Sequence, residues 1–276
     1  KHGTYLQNKL YNDAYRKLRR ILKNIDIPLD FTKPLSENEY EIEQAFKPAY
    51  AFILSFLESV ALTSINFSRL QLREINKKVT IKRTEIEITV QWDKVDQDVL
   101  NFLQRGDSFS NPYFDLVTQA IATGNRNRLT NEYIAYVRGE KTLQEAYNFL
   151  RGGLSDDYRA NLIVRGEMTQ VWAIAQQESY RTAGTIRNAW NTRNDGPKVC
   201  PICAPLNGLE AIIGEPFPGT RFTRPSLHAG CRCYLSPVPM TDEEIEEFIK
   251  KGDTEKVKIQ DKRKKKEKVS TVQTPT

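Results

Sequence analysis

Cys200-Pro201-Ile202-Cys203 and, after 24 intervening residues, His228-Ala229-Gly230-Cys231-Arg232-Cys233 contain all four cysteines and one of the two histidines of a 276-residue chain. Two thiolates separated by two residues can grip one ion. The turn that Asn207-Gly208 permits after the second leaves backbone N–H groups free to point at sulfur. Tetrahedral zinc takes four such donors, and this stretch offers five: Cys200, Cys203, His228, Cys231 and Cys233. Cys200, Cys203, His228 and Cys231 are the favoured set, with Cys233 the substitute for either of the last two.

Two other uses of the cysteines compete with a structural Zn2+ site. A pair of disulfides would leave the histidine without a role, and no secretory segment is recognisable ahead of it. A redox C-x2-C would need a βαβ pattern around it, which this sequence lacks. Eight of the thirteen prolines lie between Pro197 and Pro239, where little regular structure can form. The metal is therefore expected as a local clamp, over residues 200–233, of a segment that cannot hold itself together by regular structure.

Outside this segment the chain is long enough for one large or two modest domains with a proper core. Its net charge of +6 is unevenly placed, because residues 250–276 carry ten Lys/Arg against four Asp/Glu and the remainder carries 31 of each sign. A neutral body with a basic end implies an appendage that meets something anionic, with DNA bound non-specifically. Beyond Gly252 apolar residues thin out, and residues 252–276 are expected as a disordered basic tail.

Helical periodicity dominates the body. Leu6, Leu10, Ala14, Leu18 and Ile21 recur at steps of three and four, and a long helical pattern follows from Ser36 to about Leu72, with a candidate break at Pro48. Its apolar run, Ala49–Ile65, is interrupted by hydroxyls and a glutamate and reads as a buried helix rather than a membrane span. Ile86, Ile88, Val90 and Trp92 alternate with polar residues, which predicts a β element near 79–92, with a bulge or tight hairpin near Arg83-Thr84. Further helices are predicted over 95–103, 113–123, 131–137 and 143–150, the last broken by Gly152-Gly153. A long helix capped by Ser155 should run from Asp156 to Ala183 and stop at Gly184, with Ala160, Val164, Met168, Val171, Trp172 and Ala175 as its stripe. Residues 185–190 read as its continuation after a kink and 209–213 as a strand. Thr241 and Glu244 form a capping box for a last helix. The fold class is α+β: a mainly helical body, a small β-containing, zinc-clamped C-terminal lobe and the tail.

Catalytic motifs are missing. The zinc-deaminase pattern fails in residues and in order, since there is no H-x-E and the C-x2-C precedes the histidine. No Walker or dinucleotide glycine motif occurs, and His228 is claimed by the clamp, which leaves no base for a triad. The chain reads as a non-enzyme, with no small-molecule substrate and no membrane partner. The competing reading is a zinc-dependent nucleic-acid-binding module or a zinc enzyme acting on nucleic acid.

From Leu162 to Val238 the residues Arg165-Gly166-Glu167, Gly184, Trp190-Asn191-Thr192, Asp195, Val199–Cys203, Asn207-Gly208, His228–Cys233 and Pro237-Val238 stand in an order that resembles the phage minor head protein, or Mu F-like head morphogenesis, family. Residues 139–150 are similar to the short helix that precedes the family's long one. Gly166 stands where the family usually has threonine, and Ala229 where a proline often follows the histidine. The resemblance implies a structural protein of the virion that joins the procapsid in the host cytoplasm, associates with the portal protein and supports DNA packaging or delivery. It also divides the chain into a helical N-terminal domain (1–138), a head-morphogenesis-like domain (139–251) and the tail (252–276).

Overall fold

The computed structural model describes residues 2–26, 30–31, 33–82, 86–105, 113–154, 157–192, 200–228, 230–251 and 257–261. These form seven helices, α1 (His2–Lys23), α2 (Leu35–Lys82), α3 (Trp92–Arg105), α4 (Tyr113–Val137), α5 (Leu143–Leu154), α6 (Asp157–Thr182) and α7 (Asp242–Lys251). Five strands accompany them: β1 (Ile86–Val90), β2 (Arg187–Asn191), β3 (Glu210–Ile212), β4 (Tyr234–Pro237) and β5 (Val257–Asp261).

The chain divides into two compact units, one of Lys1–Val60, Leu100–Met168 and His228–Cys231, the other of Ala61–Val99, Thr169–Leu227 and Arg232–Thr276. In the first, α1 buries Tyr11, Ala14, Leu18 and Leu22, a stripe rotated slightly from the one its leucines suggest. Ile42, Phe46, Ala49, Ile53 and Leu57 of α2 and Ala160, Val164 and Met168 of α6 complete the same core. Arg165 lies over the Tyr11 ring at 3.5 Å, a cation–π contact between α6 and α1. At Gly166 a Cβ would meet nothing within 4 Å, so lack of space is not why threonine is missing there.

Helix α2 runs unbroken through Pro48, because that residue faces solvent, where water can meet the carbonyl left without a donor. It also extends ten residues beyond the expected end, so Val79 and Ile81 are helical and the strand shrinks to Ile86–Val90. The bulge or hairpin expected from those two residues is therefore not formed at them; Arg83 and Thr84 lie outside the described residues. Leu35–Arg73 is long and apolar enough by length and composition to cross a membrane. Its buried positions nevertheless recur at three and four within protein, and Ser64 and Ser68 spend their hydroxyls on the carbonyls of Trp172 and Ser64.

Two glycine-containing stretches expected as breaks are helical. Gly124–Asn127 lies inside α4, where Asn125 is 1% exposed and bonded to Arg159, and Gly152-Gly153 lies inside α5. A helical glycine costs only about 1 kcal/mol, which burial on a helix face outweighs. At 153 any side chain would run into the Arg128 guanidinium. Thr142 and Glu145 cap α5 reciprocally, at 2.8 and 3.2 Å.

The second unit holds two small sheets. In one, β2 is the central strand of the antiparallel order β3-β2-β4, with Asn188 opposite both Ala211 and Pro237 and Trp190 opposite Leu235. Pro237 is tolerated because β4 is an edge. Gly184, at φ 83°, ends α6 as expected, but the residues that follow form β2 rather than more helix. In the other sheet, β1 pairs with β5 from Ile86↔Asp261 to Val90↔Val257. Disorder was expected throughout 252–276, and Val257–Asp261 is instead a strand; 252–256 and 262–276 lie outside the described residues. Ser155, the expected cap of α6, also lies outside them.

Candidate metal centre

Two turns present the donors. Cys203 and Ala204 donate their N–H groups to the Cys200 carbonyl at 3.0 and 2.9 Å, and a single 3₁₀ turn, Ala204–Leu206, follows. Cys231 N–H reaches the His228 carbonyl at 3.1 Å, and Gly230 adopts φ 77° beside it. Each turn leads directly into a strand of the three-stranded sheet: the first through Gly208, at φ 82°, into β3, the second from Cys233 into β4.

The sheet is tied down by residues near both turns. The Asn207 side-chain carbonyl accepts from the Thr192 N–H at 2.9 Å and its hydroxyl at 3.0 Å, while Gly208 N–H donates to Trp190 at 2.7 Å. Trp190 is fully buried and meets Phe217 edge-on at 5.1 Å. On the return side, Gln176 of α6 accepts from the Leu235 N–H at 3.0 Å and donates to its carbonyl at 2.8 Å. Tyr180 donates to Gln71 at 2.6 Å, and burial pushes its phenol far above the ordinary range. Arg187 of β2 joins Glu210 of β3 at 2.6 Å and Glu244 of α7 at 3.1 Å. Glu244 is held below the ordinary carboxylate value: burial opposes this, but hydrogen bonds from the Thr241 N–H and Arg187 win.

The five donors predicted from the sequence come together as two overlapping groups. The ligand atoms of Cys200, Cys203 and His228 all lie within 4.8 Å of one another, and so do those of Cys203, Cys231 and Cys233. Cys203 belongs to both. No disulfide joins any of the four cysteines, and Cys203, Cys231 and Cys233 are 1–4% exposed. Three soft donors buried in mutual reach without a disulfide, with a half-buried histidine and thiol beside them, are a donor set that could hold a metal ion.

Gln176 and Tyr180 were not singled out by the sequence, although a signal existed. Val171–Ala175 is apolar or small on every side of the helix and buried throughout. A helix buried all round must find partners for any polar residue within it.

Residues 114–236 match the family described as Phage Mu protein F like protein. The matched segment is Mu F-like. It opens in α4, takes in α5, α6 and the strands β2 and β3, and closes inside β4 with all five donors enclosed. The motif resemblance began at Leu162 with a fainter likeness from 139, so the match reaches further upstream, into a helix whose residues carry no distinctive motif. Neither a curated protein nor a solved structure matches the chain.

Proposed function

We propose that this Mu F-like chain is a minor capsid protein: a structural, non-enzymatic assembly factor that associates with the portal vertex and supports head assembly and DNA packaging or delivery. The observation that carries the reading is the family match, which encloses the whole donor cluster and all but the last residue of the sheet on which it is mounted. The protein would reside in the virion, in the head interior or at the portal, after meeting portal and other procapsid proteins in the host cytoplasm.

One Zn2+ would be held by Cys203 with three of Cys200, His228, Cys231 and Cys233. Bound there, the metal supplies a cross-link between two turns. The chain's own residues do the rest: Asn207 fixes the first turn to Thr192, Gln176 fixes the strand after the second, and Arg187 ties the sheet to α7. The basic segment after Asp261 would meet DNA through phosphates without reading bases.

Co-purification tests the assignment. Tagged protein expressed with its head genes should be recovered with portal protein and empty heads. Recovery as a free protein that binds DNA with sequence preference, or that turns over nucleic acid in a zinc-dependent manner, would overturn it in favour of the competing nucleic-acid reading.

A further inference from the structure

In the first compact unit, several hydrogen-bond donors gather without an acceptor to share. Arg159 of α6 lies over the Phe46 ring at 5.8 Å. Its Nη2 donates to the Ile121 carbonyl at 3.5 Å and to Asn125 Oδ1, whereas its Nη1 is buried and has no partner. Asn125 Nδ2 and the Tyr50 hydroxyl are buried beside each other, with no well-aligned hydrogen bond. Both belong to the Arg159 neighbourhood: burial and Glu43 raise the Tyr50 phenol, while the Arg159 charge and the adjacent Asn125 amide oppose them. Arg128, exposed on α4, brings a second guanidinium near enough to repel the first.

Carboxylates normally resolve such an arrangement. Among the described residues none pairs with Arg128 or Arg159, and Glu43, which acts on Tyr50, is engaged by Arg126 at 3.3 Å. Burial, reinforced by Arg128, draws the Arg159 guanidinium down to about 10. A cation in that position carries an electrostatic penalty that only an anion can remove.

We infer that Tyr50, Asn125, Arg128 and Arg159 form a binding site for a tetrahedral oxyanion of the phosphate type. Arg159 Nη1, Asn125 Nδ2 and the Tyr50 hydroxyl can all donate, which suits a ligand rich in acceptor oxygens. A guanidinium fork matches two oxygens of one phosphoryl group. Because Arg159 Nη1 is buried, the ligand is a free phosphate or a terminal phosphoryl group, not the phosphodiester backbone of a duplex. The site is independent of the metal cluster and of the role proposed for the tail.

The test is thermal unfolding and titration calorimetry of the full chain with inorganic phosphate, against sodium chloride of equal ionic strength at neutral pH. A saturable rise in Tm with phosphate but not chloride is expected, since a ligand that binds only the folded state stabilises it by mass action. Arg128→Ala, an exposed change that leaves the core intact, should weaken phosphate binding by about tenfold or more, as expected for loss of a charge-assisted contact. Asn125→Asp places a carboxylate among the donors, so it should raise Tm without phosphate and abolish the response to it. Equal effects of phosphate and chloride, or an undiminished phosphate response in Arg128→Ala, would overturn the site.

Discussion

Gln176 pairs with Leu235 as a neighbouring strand would: its side-chain oxygen accepts from the Leu235 N–H at 3.0 Å and its nitrogen donates to the Leu235 carbonyl at 2.8 Å. Leu235 is an edge-strand residue two positions beyond Cys233, so one amide on α6 fixes the chain that delivers the last donors. Both partners are fully buried. No water could replace the contact without repacking.

Gln176→Leu should accordingly cost about 1–3 kcal/mol, because it leaves the buried Leu235 N–H unpaired, while the carbonyl keeps the Tyr180 hydroxyl at 3.2 Å. Denaturant unfolding measures the loss. The variant should also release metal to a chelator at lower concentration than wild type. A cost below 0.5 kcal/mol on the scale of ordinary surface substitutions would show that the pair is incidental.

The shared position of Cys203 gives the metal reading its sharpest test. Purified protein should contain about one zinc per chain, as a single four-donor site requires, and Cys203→Ser should abolish it. Cys200→Ser and Cys233→Ser each remove a donor from only one group, so comparing their metal contents identifies which donor is spare. Chelation should lower Tm, since metal affinity here is folding free energy. Protein that is metal-free as purified and keeps its Tm in chelator would refute the clamp.

The residues show why some of the fold was legible and some was not. The spacing of the four cysteines and His228 pointed to their meeting, which they do, and the stripe Ala160, Val164, Met168, Val171, Trp172, Ala175 is buried in full. Strand β2 was hidden because its inward positions are Asn188 and Trp190, so alternation of burial is not alternation of polarity. Strand β4 was hidden by Cys233 before it and Pro237 at its end. Gly124 and Gly152-Gly153 looked like breaks because glycine marks helix ends only statistically, and tertiary burial decides each case. The strand Val257–Asp261 lies in a lysine-rich run, and its partner is some 170 residues earlier. No local pattern reports such a pairing.

The capping box of α7 makes a pH prediction. Thr241 N–H donates to Glu244 at 2.7 Å and Glu244 N–H to the Thr241 hydroxyl at 3.3 Å, with Arg187 on the same carboxylate. Glu244 is lowered from its ordinary 4.5, so its contribution is fully present above that value and is lost as pH falls through the lower folded one. Thr241→Ala should cost about 1 kcal/mol at neutral pH, and Glu244→Gln should flatten the acid limb of the stability curve. An acid limb unchanged by Glu244→Gln would assign acid unfolding to other carboxylates.

The tail is best tested by a truncation that respects β5. Removing everything after Gly252 also deletes Val257–Asp261 and strips β1 of its partner, so any loss of DNA binding could reflect damage to the fold. Ending the chain at Asp261 spares that pairing and still removes six Lys/Arg against one glutamate. With all six cations on phosphates, the log–log salt slope of DNA affinity would be about −5 for duplex. Affinity would then fall by roughly a thousandfold between 50 and 200 mM salt. Truncation after Asp261 should abolish most of that slope while Tm and portal association stay unchanged. A slope identical in the full and truncated chains would move DNA contact to the folded body and leave the lysines as a solubilising extension.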